Sequence, residues 1–172
     1  MKPELKEWIW LANLQGIITR KKVELLRIFD SPKEIYNADA FALAQTGILS
    51  RENINAILSP AARTETDTIM EKLGKHHINV ITLADENYPH LLKNICDPPV
   101  CLYVKGKILN EETCVGVVGS RKASGYGVST AKKISCELAQ HHICVVSGMA
   151  RGIDTAAHLG ALSAGGRTIA VF

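Results

Sequence analysis

The sequence predicts an α/β protein in which a small all-α domain precedes a Rossmann-like parallel β-sheet. Two observations support this fold class. From residue 113 onward the chain repeats an apolar run, a glycine-rich turn and a helical stretch, which is the pattern of successive βαβ units. Over residues 1–75, apolar residues recur at helical spacing and Ser-Pro pairs separate the segments. We therefore expect a helical domain at 1–75 and a sheet domain at 76–172.

The composition is that of folded domains. Of the 172 residues, 47% are hydrophobic and 22% are charged, so the chain has enough apolar surface for a core. The first seven residues lack the apolar stretch of a secretory signal, and no apolar run is long enough to span a bilayer. These features predict a cytoplasmic protein.

The cysteines and histidines predict no disulfide framework and no metal site. The cysteines are odd in number and include no Cys-x-x-Cys pair; they are Cys96, Cys101, Cys114, Cys136 and Cys144. The adjacent pairs His76-His77 and His141-His142 direct their side chains apart on a helix or strand. Buried free thiols are the interpretation that this pattern favours.

Two glycine turns within the helical domain lie in similar contexts, Leu-Gln-Gly16-Ile-Ile and Gln-Thr-Gly47-Ile-Leu. In helix-hairpin-helix units such turns offer backbone N–H groups to a DNA phosphate, and a tandem of them would form a SAM-like five-helix domain. A plain helical bundle with glycine C-caps explains the pattern equally well. Neither turn has the Gly-x-Gly of a well-formed hairpin.

Residues 76–114 contain two strand candidates, 79–83 and 100–106. Prolines between them, in Tyr88-Pro89 and Pro98-Pro99, predict a loop. We expect these strands to extend the edge of the sheet that follows.

The sheet domain contains two strand, turn and helix units. A strand at 113–118 ends at Gly119-Ser120-Arg121 and precedes a helix over 126–140. A second strand at 143–146 leads into a turn at 147–154 and a helix that runs to residue 163, and residues 167–172 form a third strand. Right-handed crossovers place the carboxyl ends of parallel strands at one edge, so the two turns are expected to meet.

Such a pair of turns suits a phosphate. Glycine allows the close approach of an anion, and unpaired N–H groups at a helix start favour negative charge. Ser120, Ser124 and Ser147 add hydroxyl donors, and Arg121 can bind phosphate oxygens with two parallel hydrogen bonds. Residues 115–172 carry six basic and two acidic residues, a local net charge of +4. We therefore expect a cationic phosphate site.

Other functions fit less well. A dinucleotide cofactor requires Gly-x-Gly-x-x-Gly after the first strand and an acid after the second, where this chain has Ser147-Gly148, so no cofactor is expected. Phosphoribohydrolases of the lysine-decarboxylase-like type share such a sheet, but their Pro-Gly-Gly-x-Gly-Thr-x-x-Glu segment is missing. A serine hydrolase built from Ser147, Asp154 and His158 lacks Gly-x-Ser-x-Gly. A third alternative is a protein-interaction module whose glycine turns bind no ligand, and the sequence does not exclude it.

Several segments, in this order and spacing, resemble the signature of the DNA-processing protein A (DprA/Smf) family. They are Gly119-Ser120-Arg121, Ser124-Gly125-Tyr126-Gly127, the run 147–154 with Ala157-His158, and the run 166–171. The region with Tyr88-Pro89 is similar to the one that precedes the family's extended Rossmann fold, and the first helices are similar to its SAM-like domain. The resemblance covers essentially the whole chain.

The resemblance implies single-stranded-DNA binding without sequence readout, protection of incoming DNA during natural transformation, and loading of the RecA recombinase, with no enzymatic turnover. It also implies a homodimer. By resemblance the DNA- and phosphate-binding residues are Gly119, Ser120, Arg121, Ser124, Tyr126, Gly127, Ser147, Gly148, Met149, Ala150, Arg151, Gly152 and Arg167. Arg167 stands where the family usually has a basic residue, often lysine.

Several of these residues also have a structural interpretation. Asp154 and Ser124 could cap the two helices, and His158 is more typical of a structural histidine than of a base. Tyr126 could stack on a base or pack against the sheet. Lys132 and Lys133 are typical of solvated helix residues.

Three parallel strands are fewer than a doubly wound sheet needs, and the sequence stops at the third. We therefore expect the Rossmann-like sheet to be truncated. In the family, later strands carry much of the dimer and RecA-contacting surface, so neither contact is expected to be complete in this chain.

Overall fold

A computed structural model of the chain describes residues 4–172. The chain divides into two compact units, which we call the helical unit (described from residue 4 to Asn110) and the sheet unit (Glu111–Phe172). The predicted mixture of helices with a parallel sheet is confirmed.

The helical unit begins with six helices: α1 (Leu5–Asn13), α2 (Thr19–Ile28), α3 (Pro32–Asn37), α4 (Ala40–Gln45), α5 (Arg51–Leu58) and α6 (Pro60–Lys75). The Ser-Pro pairs act as predicted, since each places a proline at the first position of a helix. The Ser31 hydroxyl accepts the Glu34 amide, and Ser50 forms a capping box with Asn53. These caps fix where the short helices start.

The core of the helical unit lies between these helices. Its fully buried side chains include Trp10, Leu11, Leu25, Ile35, Leu43 and Ile57. Gly16 and Gly47 both adopt left-handed backbone, with φ of 72° and 69°, just after α1 and α4. The carbonyl of Gly16 accepts a hydrogen bond from the Asn53 side chain at 2.9 Å. Gly47 directly follows Thr46, the C-cap of α4, so it agrees with the C-cap interpretation. Gly16 lies two residues beyond Leu14, the C-cap of α1, and does not cap that helix. Phosphate binding by these turns stays a prediction.

The two strands that follow pair with each other. Strand β1 (Asn79–Thr82) runs antiparallel to β2 (Cys101–Val104), and a short helix α7 (His90–Lys93) lies in the loop between them. The expectation that they extend the next sheet is wrong for the described residues, where they form a separate two-stranded sheet inside the helical unit. The loop secures this pairing, because buried Tyr88 donates its hydroxyl to the Pro99 carbonyl at 2.8 Å. Burial also raises the pKa of Tyr88 to about 12.

The sheet unit has the predicted alternation. Its elements are β3 (Cys114–Gly116), α8 (Gly125–Gln140), β4 (Cys144–Ser147), α9 (Ile153–Ser163) and β5 (Thr168–Ala170). The strands are parallel in the order β3-β4-β5, so β4 is central. Val145 of β4 is fully buried and packs with Ala157 and Ala161 of α9.

Helices α8 and α9 pack closely because small residues line their contact. A side chain at Gly160 would overlap the Lys132 carbonyl, and Ala139 and Ala161 are buried nearby in the same core. Consecutive right-handed crossovers put both helices on one face of the sheet, so their amino ends and the turns before them share one edge.

Candidate nucleic-acid interface

The two glycine turns are in direct backbone contact, as the chain order predicts. We call residues 117–124, between β3 and α8, the first turn, and residues 148–152, between β4 and α9, the second turn. The amide of Ile153 donates a hydrogen bond to the Ser120 carbonyl at 3.3 Å. This hydrogen bond connects the first turn to the start of α9, directly after the second turn.

Glycine is needed where the turns touch. Gly152 has a φ of 85°, and a Cβ on it would overlap the Ser120 carbonyl oxygen and lie 3.0 Å from the Arg121 carbonyl carbon. On the opposite side of the contact, a Cβ at Gly119 would lie 2.7 Å from the side chain of Ile153. Larger residues would separate the turns.

Asp154 stabilises the second turn through a hydrogen bond to its backbone. Its side chain is buried, and its carboxylate accepts the Ala150 amide at 3.3 Å. The N-cap of α9 is Gly152, which has no side-chain cap, so Asp154 does not cap the helix as the structural interpretation suggested. It fixes the turn that precedes its own helix instead.

Met149 is the outermost apolar residue of the second turn. Its φ is 57°, in the left-handed region that is costly for a residue with a Cβ, and its side chain is 55% exposed. A non-glycine residue held in this region costs on the order of 1–3 kcal/mol, and such residues cluster at functional sites.

Three cations of the two turns have no carboxylate partner among the described residues. Arg121 and Lys122 of the first turn and Arg151 of the second are exposed. Among the described residues, none of the three forms an ion pair. Lys122 was absent from the predicted site, although its position next to Arg121 could have indicated it. The charge at this edge is available to an anion.

Backbone and hydroxyl donors are available beside these cations. Within residues 4–172, the amides of Gly119, Ser120 and Arg121 have no hydrogen-bond acceptor. The Ser120 hydroxyl oxygen accepts the Lys122 amide, and that of Ser124 accepts the Gly127 amide, both at 3.1 Å. Because each hydroxyl acts as an acceptor there, its hydrogen is left to donate. Ser124 is thus the N-cap of α8, and its hydroxyl can also donate a hydrogen bond to an anion.

Ser147 does not belong to this set of donors. It is only 3% exposed, and its hydroxyl donates to the Val117 carbonyl at 2.7 Å. The expectation that it gives its hydrogen to a phosphate is therefore wrong in this conformation. Its role is to hold the start of the first turn against the end of β4.

Tyr126 is the second residue of helix α8, and its side chain is 82% exposed. Packing against the sheet, one of the two interpretations of this residue, is excluded by that exposure. The ring is free to stack on a planar ligand.

Arg167 lies at the other end of the sheet. It precedes β5, and its carbonyl accepts the amide of Val145 near the amino end of β4. Its Nε donates to the Glu112 carboxylate at 2.5 Å, and this hydrogen bond raises the pKa of the guanidinium. The prediction that Arg167 lines the same site as Arg121 is wrong, because parallel strands put residues that precede a strand at the edge opposite the turns.

The residues of the hypothetical hydrolase are engaged separately. His158 is buried, and its Nδ1 lies 2.6 Å from the hydroxyl of Thr168, which itself donates to the Val145 carbonyl. Since that hydroxyl has one hydrogen, His158 donates from Nδ1. This is the structural role that the sequence favoured, and neither Ser147 nor Asp154 takes part in it.

Lys133 pairs with Glu137 one helical turn along α8, with a nitrogen-to-oxygen distance of 4.0 Å, and Lys132 is exposed on the same helix. Both fit the prediction of solvated helix residues.

In the described chain, none of the helices is both long and apolar enough to cross a membrane.

Known proteins are similar to this chain in sequence and fold. A profile of the DNA recombination-mediator protein A family matches residues 79–172. The chain is 30% identical to the DNA processing protein DprA of Bacillus subtilis (strain 168) over 145 residues, which cover 79% of this chain and 49% of that protein. It is 32% identical to the Smf protein of Escherichia coli (strain K12) over 164 residues, or 95% of this chain and 43% of that protein.

The X-ray structure of DNA processing protein A (DprA) from Streptococcus pneumoniae has a similar fold. It gives a TM-score of 0.63 at 29% sequence identity and covers 99% of this chain and 58% of that chain. The present chain thus spans less than half the length of the two relatives named above. Because the profile match extends over more than half of the sequence, the chain belongs to the DNA recombination-mediator protein A family.

Proposed function

We propose that the sheet unit binds single-stranded DNA through its phosphates, without reading sequence, and that the protein acts in DNA processing. The observation that carries this proposal is the direct contact between two glycine turns whose three cations have no carboxylate partner within residues 4–172. The names of the relatives, DNA processing protein and recombination mediator, support it.

The chemistry of the turns favours phosphate over other anions. The amides of residues 119–121, which have no acceptor in the described part of the chain, supply N–H groups, and the amino end of the 16-residue helix α8 supplies a positive dipole. The Arg121 guanidinium can form two parallel hydrogen bonds with phosphate oxygens.

The exposed Tyr126 ring and Met149 side chain favour an unpaired strand. Stacking on an aromatic ring requires a free base face, which single strands offer and duplexes do not. Stacking also tolerates every base, so binding of this kind is not sequence-specific.

For the full-length protein we propose the finer roles that the family resemblance implies: protection of incoming DNA, loading of RecA and homodimer formation. In this proposal the protein binds DNA and does not turn it over. We also propose that residues 1–75 form a SAM-like domain and that residues 76–172 belong to one extended Rossmann-like domain in the complete chain.

The proposal is tested by the anisotropy of a fluorescent oligo(dT) over a range of salt concentrations. Each phosphate contact on single-stranded DNA contributes a slope of about 0.7 in log affinity against log salt. Arg121→Ala should weaken binding and lower the slope by about that amount. The control is the double variant Glu112→Gln/Arg167→Gln, which removes the ion pair at the opposite edge and should keep the wild-type slope.

Two results would count against the proposal. One is a slope that Arg121→Ala leaves unchanged, since the guanidinium would then not contact phosphate. The other is equal affinity for oligo(dT) and for a duplex of the same length, since stacking would then play no part.

A further inference from the structure

A second group of side chains lies at the amino edge of the same sheet. Cys114 and Cys144 are the first residues of β3 and β4 and are partners in the parallel register. Glu112 lies just before β3. Ligand atoms of these three residues, two thiol sulfurs and one carboxylate oxygen, all lie within 4.8 Å of one another.

One oxygen of the Glu112 carboxylate has no hydrogen-bond partner among the described residues. The side chain is 9% exposed, and Oε1 accepts the Arg167 guanidinium. In the described part of the chain, Oε2 is buried and forms no hydrogen bond. A buried carboxylate oxygen without a donor is unfavourable, because it has lost its water and gained nothing in exchange. A cation at this position would satisfy it.

We propose that Glu112, Cys114 and Cys144 form a binding site for a thiophilic divalent cation of the zinc type. Two thiolates and one carboxylate are a donor set that zinc accepts. Magnesium and calcium prefer oxygen ligands alone, which this cluster does not offer. The exposure of Cys114 leaves one side of the cluster open, so water can complete a tetrahedron.

The charges at the site balance with the metal bound. Both thiols release a proton when they bind the cation. Two thiolates and the Glu112 carboxylate then offset the two charges of the metal and the single charge of Arg167. Without the metal, Glu112 pairs with Arg167, and the charges of these two residues offset each other.

Arg167 acts here as a positioning residue. Its hydrogen bond at 2.5 Å holds Oε1, which leaves Oε2 as the carboxylate atom for the metal. Ligating carboxylates are commonly held by such an outer hydrogen bond. Tetrahedral bonds of zinc length separate the ligand atoms by roughly 3.3–3.8 Å, so closure needs side-chain movements of about 1 Å.

The site is tested with the full chain, reduced by a phosphine and treated with a chelator that is then removed. Cobalt(II) is the probe, because thiolate ligation gives near-ultraviolet charge-transfer bands and tetrahedral coordination gives intense visible bands. We expect these bands to saturate at one cobalt per chain and to disappear when zinc is added. This result does not depend on DNA binding.

Matched variants identify the ligands. Cys114→Ser and Glu112→Gln should each weaken cobalt binding at least tenfold. Cys136→Ser on α8 lies outside the cluster and should bind cobalt like the parent chain. Circular dichroism checks that each variant is folded, and Cys114 is an exposed position where serine is tolerated.

The absence of thiolate-to-cobalt bands in the reduced parent chain would overturn the proposal. So would a titration that Cys114→Ser does not change. A Cys114–Cys144 disulfide found by mass spectrometry, in a chain that binds no cobalt once reduced, would also overturn it and identify the cysteines as a redox pair.

Discussion

The two edges of the three-stranded sheet both carry arginine but are built in opposite ways. At the carboxyl edge, Arg121 and Arg151 lie beside open turns and have no ion-pair partner among the described residues. At the amino edge, Arg167 is neutralised by Glu112. The local net charge of +4 counts all these cations alike. The difference teaches that pairing with carboxylates, not the number of basic residues, decides which edge attracts an anion.

The largest effect on this comparison is expected from Gly152→Ala. The new methyl group would overlap the Ser120 carbonyl and force a left-handed residue with a Cβ, so the turns must separate. Overpacking and backbone strain together should lower the free energy of unfolding by about 2–5 kcal/mol. Urea denaturation measures this change, and oligo(dT) binding should be lost with it.

Gly125→Ala is the matched control for that variant. Gly125 lies in the same edge, but a Cβ there meets nothing within 4 Å. Its stability should stay within about 1 kcal/mol of the parent chain. If both alanine variants were equally stable, the contact between the turns would not be the feature that holds this edge together.

A smaller effect is expected from Tyr126→Ala. Loss of stacking on one base costs about 1–3 kcal/mol, or roughly five- to 150-fold in affinity for oligo(dT). Tyr126→Phe keeps the ring and should bind like the parent chain. Because Tyr126 is exposed, neither variant should change the urea midpoint appreciably. Equal binding by the alanine and phenylalanine variants would remove Tyr126 from the interface.

Chain order was enough to predict the paired turns. Short apolar runs before Gly119 and Gly148, each followed by a helix, leave few topologies, and right-handed crossovers put both turns at one edge. The same rule places Arg167 at the opposite edge, since it precedes its strand. Chain direction thus separates Arg167 from the turns, whereas the family resemblance implied a place beside them.

Other features depend on contacts that no local pattern records. Ser147 ends an apolar strand, which is where a phosphate-binding serine would be expected. Its hydroxyl instead donates a hydrogen bond to the Val117 carbonyl of the neighbouring segment. The expected buried thiols were also partly wrong, since Cys96 and Cys114 are exposed. Cys114 and Cys144 are far apart in sequence, and their meeting depends on the register of β3 against β4. Register is set by packing across the sheet, so spacing alone gave no sign of this cluster.

The most direct test of which edge binds DNA is the change in backbone amide NMR shifts when oligo(dT) is added to the chain. If the turns grip the phosphates, the amides of residues 119–127 and 148–152 should shift, while those of residues 112–114, 144 and 167 should not. Shifts concentrated at residues 112–114, 144 and 167, or confined to the helical unit, would contradict binding at the turns.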